Sequence, residues 1–81
     1  MNNYLPSGEL FRLLRNLKGI KQEQAAKKLA ISQQAISKLE KCKNISTEKF
    51  TAIITAFNFT QEDIDIAKRF LPPPPQKSNI N

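Results

Sequence analysis

Residues 22–40 most constrain the fold of this chain, because they contain two short amphipathic repeats separated by a brief interruption. The repeats are QEQAAKKL and QQAISKLE, and the interruption is AIS. Each repeat makes only about two helical turns, so neither is stable alone in water and both must be held by packing. Two helices joined by so short a turn cross at a steep angle, which pushes the outer face of the second away from the body. We therefore predict a projecting helix over about residues 32–41.

The remaining sequence predicts an all-α fold with five short helices in a compact bundle. Each helix start but the second has a hydroxyl residue suited to capping, namely Ser7, Ser32, Ser46 and Thr60. The first helix is expected over about residues 7–18, with Gly19 as its left-handed terminus and Ile20 closing the turn. Apolar residues recur at helical spacing and are expected to face the core: Leu10, Leu13, Leu14, Leu17, Ala25, Ala26, Leu29, Ala35, Ile36, Leu39, Phe50, Ile53, Ile54, Phe57, Ile64, Ala67 and Leu71.

The chain is long enough for one small domain, which we place at residues 1–71. Residues 72–81 begin with four prolines and are expected to be a helix stop followed by a disordered tail, although a proline tract is also a possible SH3-type ligand. The sequence has neither a secretory signal nor an apolar run long enough to span a bilayer. We therefore expect a cytoplasmic protein.

Cysteine and histidine usage argues against several kinds of chemistry. Cys42 is the single cysteine and the chain has no histidine, so one chain has neither a disulfide framework nor a Cys/His zinc site. The commonest general base is absent, and no serine has an obvious activating partner nearby in sequence. We therefore expect no enzymatic activity, metal or cofactor, and we give Cys42 no role, with redox sensing as a remote alternative.

Positive charge is concentrated in one half of the chain. Residues 12–43 contain nine basic and two acidic residues, a local net charge of +7, whereas residues 44–81 are balanced. Basic residues can merely solvate helix faces, but a cluster of this size is typical of a surface that binds nucleic acid.

The exposed chemistry of the third helix fits the B-DNA major groove. A glutamine amide has both an acceptor and donors, so it can make paired contacts to a base edge, and lysines attract phosphates. We assign base reading to Gln33, Gln34, Ser37 and Lys38. We assign phosphate binding to Gln22, Lys21, Lys41, Lys43 and Asn44. The alternative is that these polar side chains simply face water.

The segments LRNLKGI, KQEQAAKKLAISQQAISKLEKCKN and STEKFTAIITAFNFT together resemble the Cro/CI-type, XRE-family helix-turn-helix domain of phage repressors and their bacterial relatives. The resemblance covers about residues 10–64 and implies a lambda-repressor-like five-helix bundle. It also implies that Gln33 and Gln34 read bases, that Gln22 touches a phosphate and braces Gln33, and that Arg15 pairs with Glu40. We expect a surface pair contributing under about 1 kcal/mol.

Three residues depart from the pattern of that family. Ala30 occupies the left-handed position where most relatives have glycine, at a cost of roughly 1 kcal/mol. Lys21 replaces the usual Ser or Thr cap of the second helix. Cys42 replaces a glycine that often ends the recognition helix, which leaves the conformation of residues 42–45 open.

The favoured function is a sequence-specific, double-stranded DNA-binding transcriptional regulator, either a repressor or an autoregulator. One short recognition helix contacts few base pairs, so we expect a homodimer on a near-palindromic operator, with Ile66 and Phe70 as the candidate dimer surface. The alternative is an antitoxin that binds a toxin protein and represses its own promoter. RNA binding ranks third, because no aromatic residue accompanies the basic residues to stack on unpaired bases.

Overall fold

A computed structural model describes residues 6–71, which form five α-helices and no strand. The helices are α1 (Gly8–Leu17), α2 (Gln22–Leu29), α3 (Gln33–Glu40), α4 (Thr47–Phe57) and α5 (Gln61–Lys68). The predicted all-α bundle is confirmed. The proline stop and tail predicted at residues 72–81 lie outside the described residues, as do residues 1–5. Within residues 6–71, no helix is both long and apolar enough to cross a membrane.

Side-chain caps begin four of the helices, as the sequence predicts. The hydroxyl oxygens of Ser7, Ser32 and Ser46 each accept a hydrogen bond from a backbone N–H three residues later, at 3.0 to 3.2 Å. At Thr60 the cap is reciprocal, because Asp63 also accepts from the Thr60 N–H at 3.0 Å. Each such cap contributes about 1 kcal/mol, so these caps fix where the short helices start.

Two of the helix ends confirm the expected left-handed residues. Gly19 has φ +70°, and the Ile20 N–H donates to the Arg15 carbonyl at 2.9 Å, which closes the end of α1. Ala30 has φ +58° at the end of α2. An alanine in this conformation costs roughly 1 kcal/mol relative to glycine. A third left-handed residue, Asn58 with φ +57°, ends α4 and was not predicted.

The core forms where α1 packs against α3 and α5, and where α2 packs against α3 and α4. One inward residue was predicted wrongly, since Leu17 is 41% exposed. Phe11, which was not predicted, is fully buried, and its ring lies 6.4 Å from the ring of Phe57 in α4. Ile45 and Phe59 are buried as well, although both lie in connections where helical periodicity gives no signal.

The start of α1 lies directly against the end of α3. A Cβ atom at Gly8 would fall 2.1 Å from the Leu39 carbonyl oxygen, so only glycine fits there. The Gly8 N–H donates to the Cys42 carbonyl at 2.9 Å, and the Ile45 N–H donates to the Pro6 carbonyl at 2.6 Å. Backbone contacts therefore fix the last turn of α3 on the body of the domain.

Candidate nucleic-acid interface

The first turn of α3 is presented to solvent. Gln33, Gln34 and Lys38 are exposed and Ser37 is half-buried, whereas Ile36 and Leu39 on the opposite side are buried in the core. Ser32 caps the N-terminal end of α3. A helix is therefore present where the sequence predicts one, and its polar side is the side that faces outward.

A buried ion pair joins α1 to the end of α3. Arg15 Nε donates to Glu40 Oε2 at 2.6 Å, and Arg15 Nη2 lies 3.4 Å from Glu40 Oε1. Arg15 Nη1 also donates to the Ile20 carbonyl at 2.8 Å. The two side chains are only 10% and 6% exposed, so the expectation of a weak surface pair is wrong. Removing one partner of a buried pair costs about 3–5 kcal/mol, because it leaves the other charge uncompensated.

The same carboxylate positions a glutamine of α2. Gln22 Nε2 donates to Glu40 Oε1 at 3.1 Å, and Gln33 Nε2 lies 3.5 Å from Gln22 Oε1. Polar contacts therefore run from Arg15 through Glu40 and Gln22 to Gln33 at the exposed first turn of α3. The contacts become longer towards solvent, so Gln22 is held firmly and Gln33 only loosely.

Comparison with protein-family models decides the family. A helix-turn-helix model of the Cro/CI-like, XRE type matches residues 11–64. The chain belongs to this helix-turn-helix family. The match includes all of α2 and α3, the two helices of the motif, and the family consists of DNA-binding regulatory domains rather than typical enzymes. Searches of curated proteins and of solved structures give no match.

The residues assigned to phosphate binding lie on both sides of the recognition helix of this helix-turn-helix domain. Lys21 precedes α2 and is exposed, and Gln22 is half-buried at the first position of that helix. Lys41, Lys43 and Asn44 follow α3 and are all exposed. Along the chain, the cationic side chains therefore lie before α2 and after α3, at the two ends of the helix-turn-helix motif.

The start of α2 has no hydroxyl cap, and a residue that sequence reasoning missed partly replaces it. Gln24 Oε1 accepts a hydrogen bond from the Lys21 N–H at 2.8 Å. A glutamine three residues after the cap position is half of a capping box, and this signal is visible in the sequence. The first N–H groups of the helix have no intrahelical partner, so the end next to Gln22 keeps free donors.

The helix-turn-helix domain accommodates Cys42 without strain. The last turn of α3 ends at Lys41 with φ −96°, and Cys42 is not among the described residues with positive φ, so glycine is not required there. The thiol is exposed, with Sγ 3.4 Å from the Lys38 carbonyl oxygen. Residues 42–45, whose conformation the sequence left open, therefore form a tight connection, and the Cys42 carbonyl accepts a hydrogen bond from the Gly8 N–H.

The two candidate dimer residues, in and just after α5, differ in exposure. Ile66 is half-buried, whereas Phe70 is 68% exposed and is the most exposed of the large apolar side chains among residues 6–71. At the start of α5, hydrogen bonding from the Thr60 N–H lowers the pKa of Asp63, and Lys18 Nζ, 3.4 Å away, lowers it further. This ion pair joins the end of α1 to the start of α5.

Proposed function

We propose that the chain is a cytoplasmic, sequence-specific regulator of transcription, a repressor or autoregulator, that places α3 in the major groove of double-stranded DNA. One observation carries the proposal: in a helix-turn-helix domain, the outward side of α3 carries adjacent amides, and its inward side is anchored by the buried Arg15–Glu40 pair. A rigidly anchored helix presents its side chains at a constant angle, which sequence reading requires.

Amide chemistry supports base reading at the start of α3. If Gln33 gives one N–H to Gln22, it keeps its Oε1 acceptor and a second N–H. This remaining pair matches the N6 donor and the N7 acceptor of adenine in the major groove. Gln34 is exposed, and neither group of its amide makes a hydrogen bond within residues 6–71. Ser37 and Lys38 follow one turn later on the same helix.

Phosphate contacts would come from the residues that flank α3. Lys21 and the free N–H groups at the start of α2 suit a phosphate, because a helix N-terminus favours anions. Lys41, Lys43 and Asn44 on the connection after α3 would hold the other side. These contacts fix the register of the protein on the duplex and make affinity fall as salt rises.

One copy of α3 reads only a few base pairs, so we propose that a homodimer binds a near-palindromic operator. The half-sites are then expected about one helical turn, roughly 10 base pairs, apart. The exposed Phe70 side chain favours a protein contact at the end of α5.

The exposed α5 surface also permits the alternative function, in which the chain is an antitoxin that binds a toxin protein and represses its own promoter. This alternative predicts that a neighbouring gene is toxic when expressed alone and harmless when expressed together with this chain. A neighbouring gene without such toxicity removes the alternative and leaves the regulator.

Selection of bound sites from random duplex DNA tests the favoured function directly. We expect two related half-sites for the unmodified chain. In Gln33→Ala or Gln34→Ala, base preference should relax at a matching position, with a loss of about 1–3 kcal/mol at the preferred site. Lys43→Ala is the matched control, because it should weaken all sequences similarly and reduce the salt slope by about one. Glutamine variants that select the same sites as the unmodified chain would leave only nonspecific binding.

A further inference from the structure

An open groove lies between the turn that joins α1 to α2, the outer side of α2 and the end of α4. Its volume is about 400 Å³, within the range of pockets that hold small molecules. The residues that line it include Lys18, Ile20, Gln24, Lys28, Phe57 and Asn58. None of the lining residues belongs to α3, so the groove is separate from the amides assigned to base reading.

The apolar part of the groove is an aromatic ring that its neighbours hold in place. Phe57 is half-buried, and its ring is stacked on that of Phe59 with the centroids 5.4 Å apart. The ring of Phe11 lies 6.4 Å away on α1, and both neighbouring side chains are buried. Ile20, also half-buried, adds an aliphatic side chain. A ligand with a flat aromatic body can contact the exposed part of such a ring in an offset-stacked or edge-to-face arrangement.

Both charged residues that line the groove are cationic. Lys28 is exposed and takes part in none of the ion pairs that residues 6–71 make. Lys18 lies 3.4 Å from Asp63, but its side chain stays 42% exposed. Neither lysine is among the residues that the proposed DNA contacts use. Ammonium groups beside an aromatic ring are complementary to a molecule that joins an anionic group to an aromatic body.

Two side-chain amides add hydrogen-bond donors to the groove. Gln24 Oε1 accepts from the Lys21 N–H at 2.8 Å, which leaves the Gln24 Nε2 donors for a ligand. Asn58 is exposed, and its side-chain amide makes no hydrogen bond within residues 6–71. The ends of α1 and α4 lie here as well, and a helix C-terminus disfavours anions. A carbonyl near each end already accepts a backbone N–H, from Ile20 at 2.9 Å and from Phe59 at 3.1 Å, which reduces this effect.

We propose that this groove binds a small aromatic carboxylate. The aromatic body lies against Phe57 and Ile20, and the carboxylate accepts from Lys28 and Gln24. These two residues are four positions apart on α2, so their side chains lie on the same side of that helix. Duplex DNA is a poorer occupant, because its backbone offers phosphates and sugars but no apolar body for a half-buried ring. The proposal gives the domain a ligand site in addition to its proposed DNA contacts and does not depend on them.

Titration of the full chain with naphthoate, followed by heteronuclear NMR, tests the proposal. For an aromatic carboxylate of this size we expect a dissociation constant on the order of 1 mM. The backbone amide signals of Gly19, Ile20 and Asn58 should shift and saturate, whereas those of Gln34 and Ser37 should not. Naphthamide keeps the rings without the charge and should bind about fivefold more weakly. Acetate keeps the charge without the rings and should not saturate the groove.

A pair of neighbouring lysines supplies the matched variants. Lys28→Gln should raise the dissociation constant for naphthoate about two- to fivefold. Lys27→Gln removes the same charge from an exposed position of α2 that does not line the groove, and it should leave the affinity unchanged. Both side chains are exposed, so both variants should keep the melting temperature of the unmodified chain.

Three outcomes overturn the proposal. Naphthoate at about ten times the expected constant shifts no amide of the groove, the two lysine variants lose affinity equally, or naphthamide binds as tightly as naphthoate.

The selected duplex separates this proposal from the proposed function. A duplex that displaces naphthoate and shifts the same groove amides would make the groove a phosphate contact, which removes the ligand site and leaves the regulator. Saturable binding of naphthoate, with the expected loss in Lys28→Gln, in a protein that selects no duplex would support the ligand site and remove sequence reading.

Discussion

Glu40→Gln is the substitution that most directly tests how the recognition helix is held. The carboxylate accepts from Arg15 through both oxygens and from Gln22 through Oε1, and its side chain is 6% exposed. The neutral amide leaves the Arg15 guanidinium buried without a counter-charge. We expect the free energy of unfolding to fall by about 3–5 kcal/mol, the usual cost of breaking a buried pair from one side.

Urea denaturation followed by circular dichroism measures this loss. In a domain of this size each kcal/mol lowers the melting temperature by about 4–8 °C, so even the lower figure is a shift of more than 10 °C. Glu9→Gln is the matched control, because Glu9 pairs with Arg12 at 3.0 Å but the side chains are 45% and 43% exposed. That exposed pair should contribute less than about 1 kcal/mol.

The result that refutes the reasoning is a Glu40→Gln variant as stable as Glu9→Gln. Replacing both partners, as Arg15→Met with Glu40→Leu, adds a second measurement. Because a buried pair can often be exchanged for apolar residues at little cost, the double variant should recover much of the lost stability. The double variant should not recover base preference, since Gln22 then lacks the Glu40 carboxylate as its hydrogen-bond acceptor and no longer positions Gln33.

Three further predictions concern the backbone and the ion pair at α5. Ala30→Gly should raise the free energy of unfolding by roughly 1 kcal/mol, because glycine adopts φ +58° without strain. Gly8→Ala should lower it by about 1–3 kcal/mol or more in chemical denaturation, because the new Cβ meets the Leu39 carbonyl. The pKa of Asp63 is lowered in the folded protein, so its contribution to stability is present above its ordinary pKa of 3.8 and is lost as pH falls through the lower pKa of the folded state. Asp63→Asn should therefore reduce the loss of stability at acid pH, and thermal melts recorded against pH measure this effect.

Each of these predictions has a control within the chain. Ala25→Gly, in the middle of α2, should destabilise by about 1 kcal/mol, so a gain at both alanines would contradict the strain assigned to Ala30. Gly19→Ala adds a Cβ in open space and costs only the left-handed conformation. A Gly8→Ala variant as stable as the unmodified chain would mean that no steric contact exists there. For Asp63, Asp65→Asn is the control, and an acid limb that flattens equally in both variants would show that Asp63 has no special role.

The sequence predicts the helix boundaries well, because they depend on local chemistry. Ser7, Ser32 and Thr60 cap helices through contacts within three residues, and Gly19 and Ala30 end them through their own φ angles. Start and stop signals of this kind depend only on residues that are close together in the sequence. The class of fold follows, since five short amphipathic helices bury their apolar sides by packing against one another.

The features that the sequence did not predict depend on contacts between distant elements. Periodicity places Leu17 inward, but the end of α1 lies at the edge of the core and exposes it. Ile45 and Phe59 are buried because connections pass over the core, where no helical period applies. The burial of the Arg15–Glu40 pair depends on the approach of α1 to α3. Charge and sequence spacing contain no information on that approach, so they led us to expect an exposed pair.

The position of Gly8 against the end of α3 has a consequence for how this scaffold can diversify. The contacts that orient α3 come from backbone at Gly8 and Cys42 and from the buried Glu40, whereas Gln34 and Lys38 point the other way. Orientation and chemical specificity therefore depend on different atoms of the same eight-residue helix. If α3 reads bases as proposed, new base preferences can be obtained by randomising its solvent side, while the contacts that hold α3 on the domain stay unchanged.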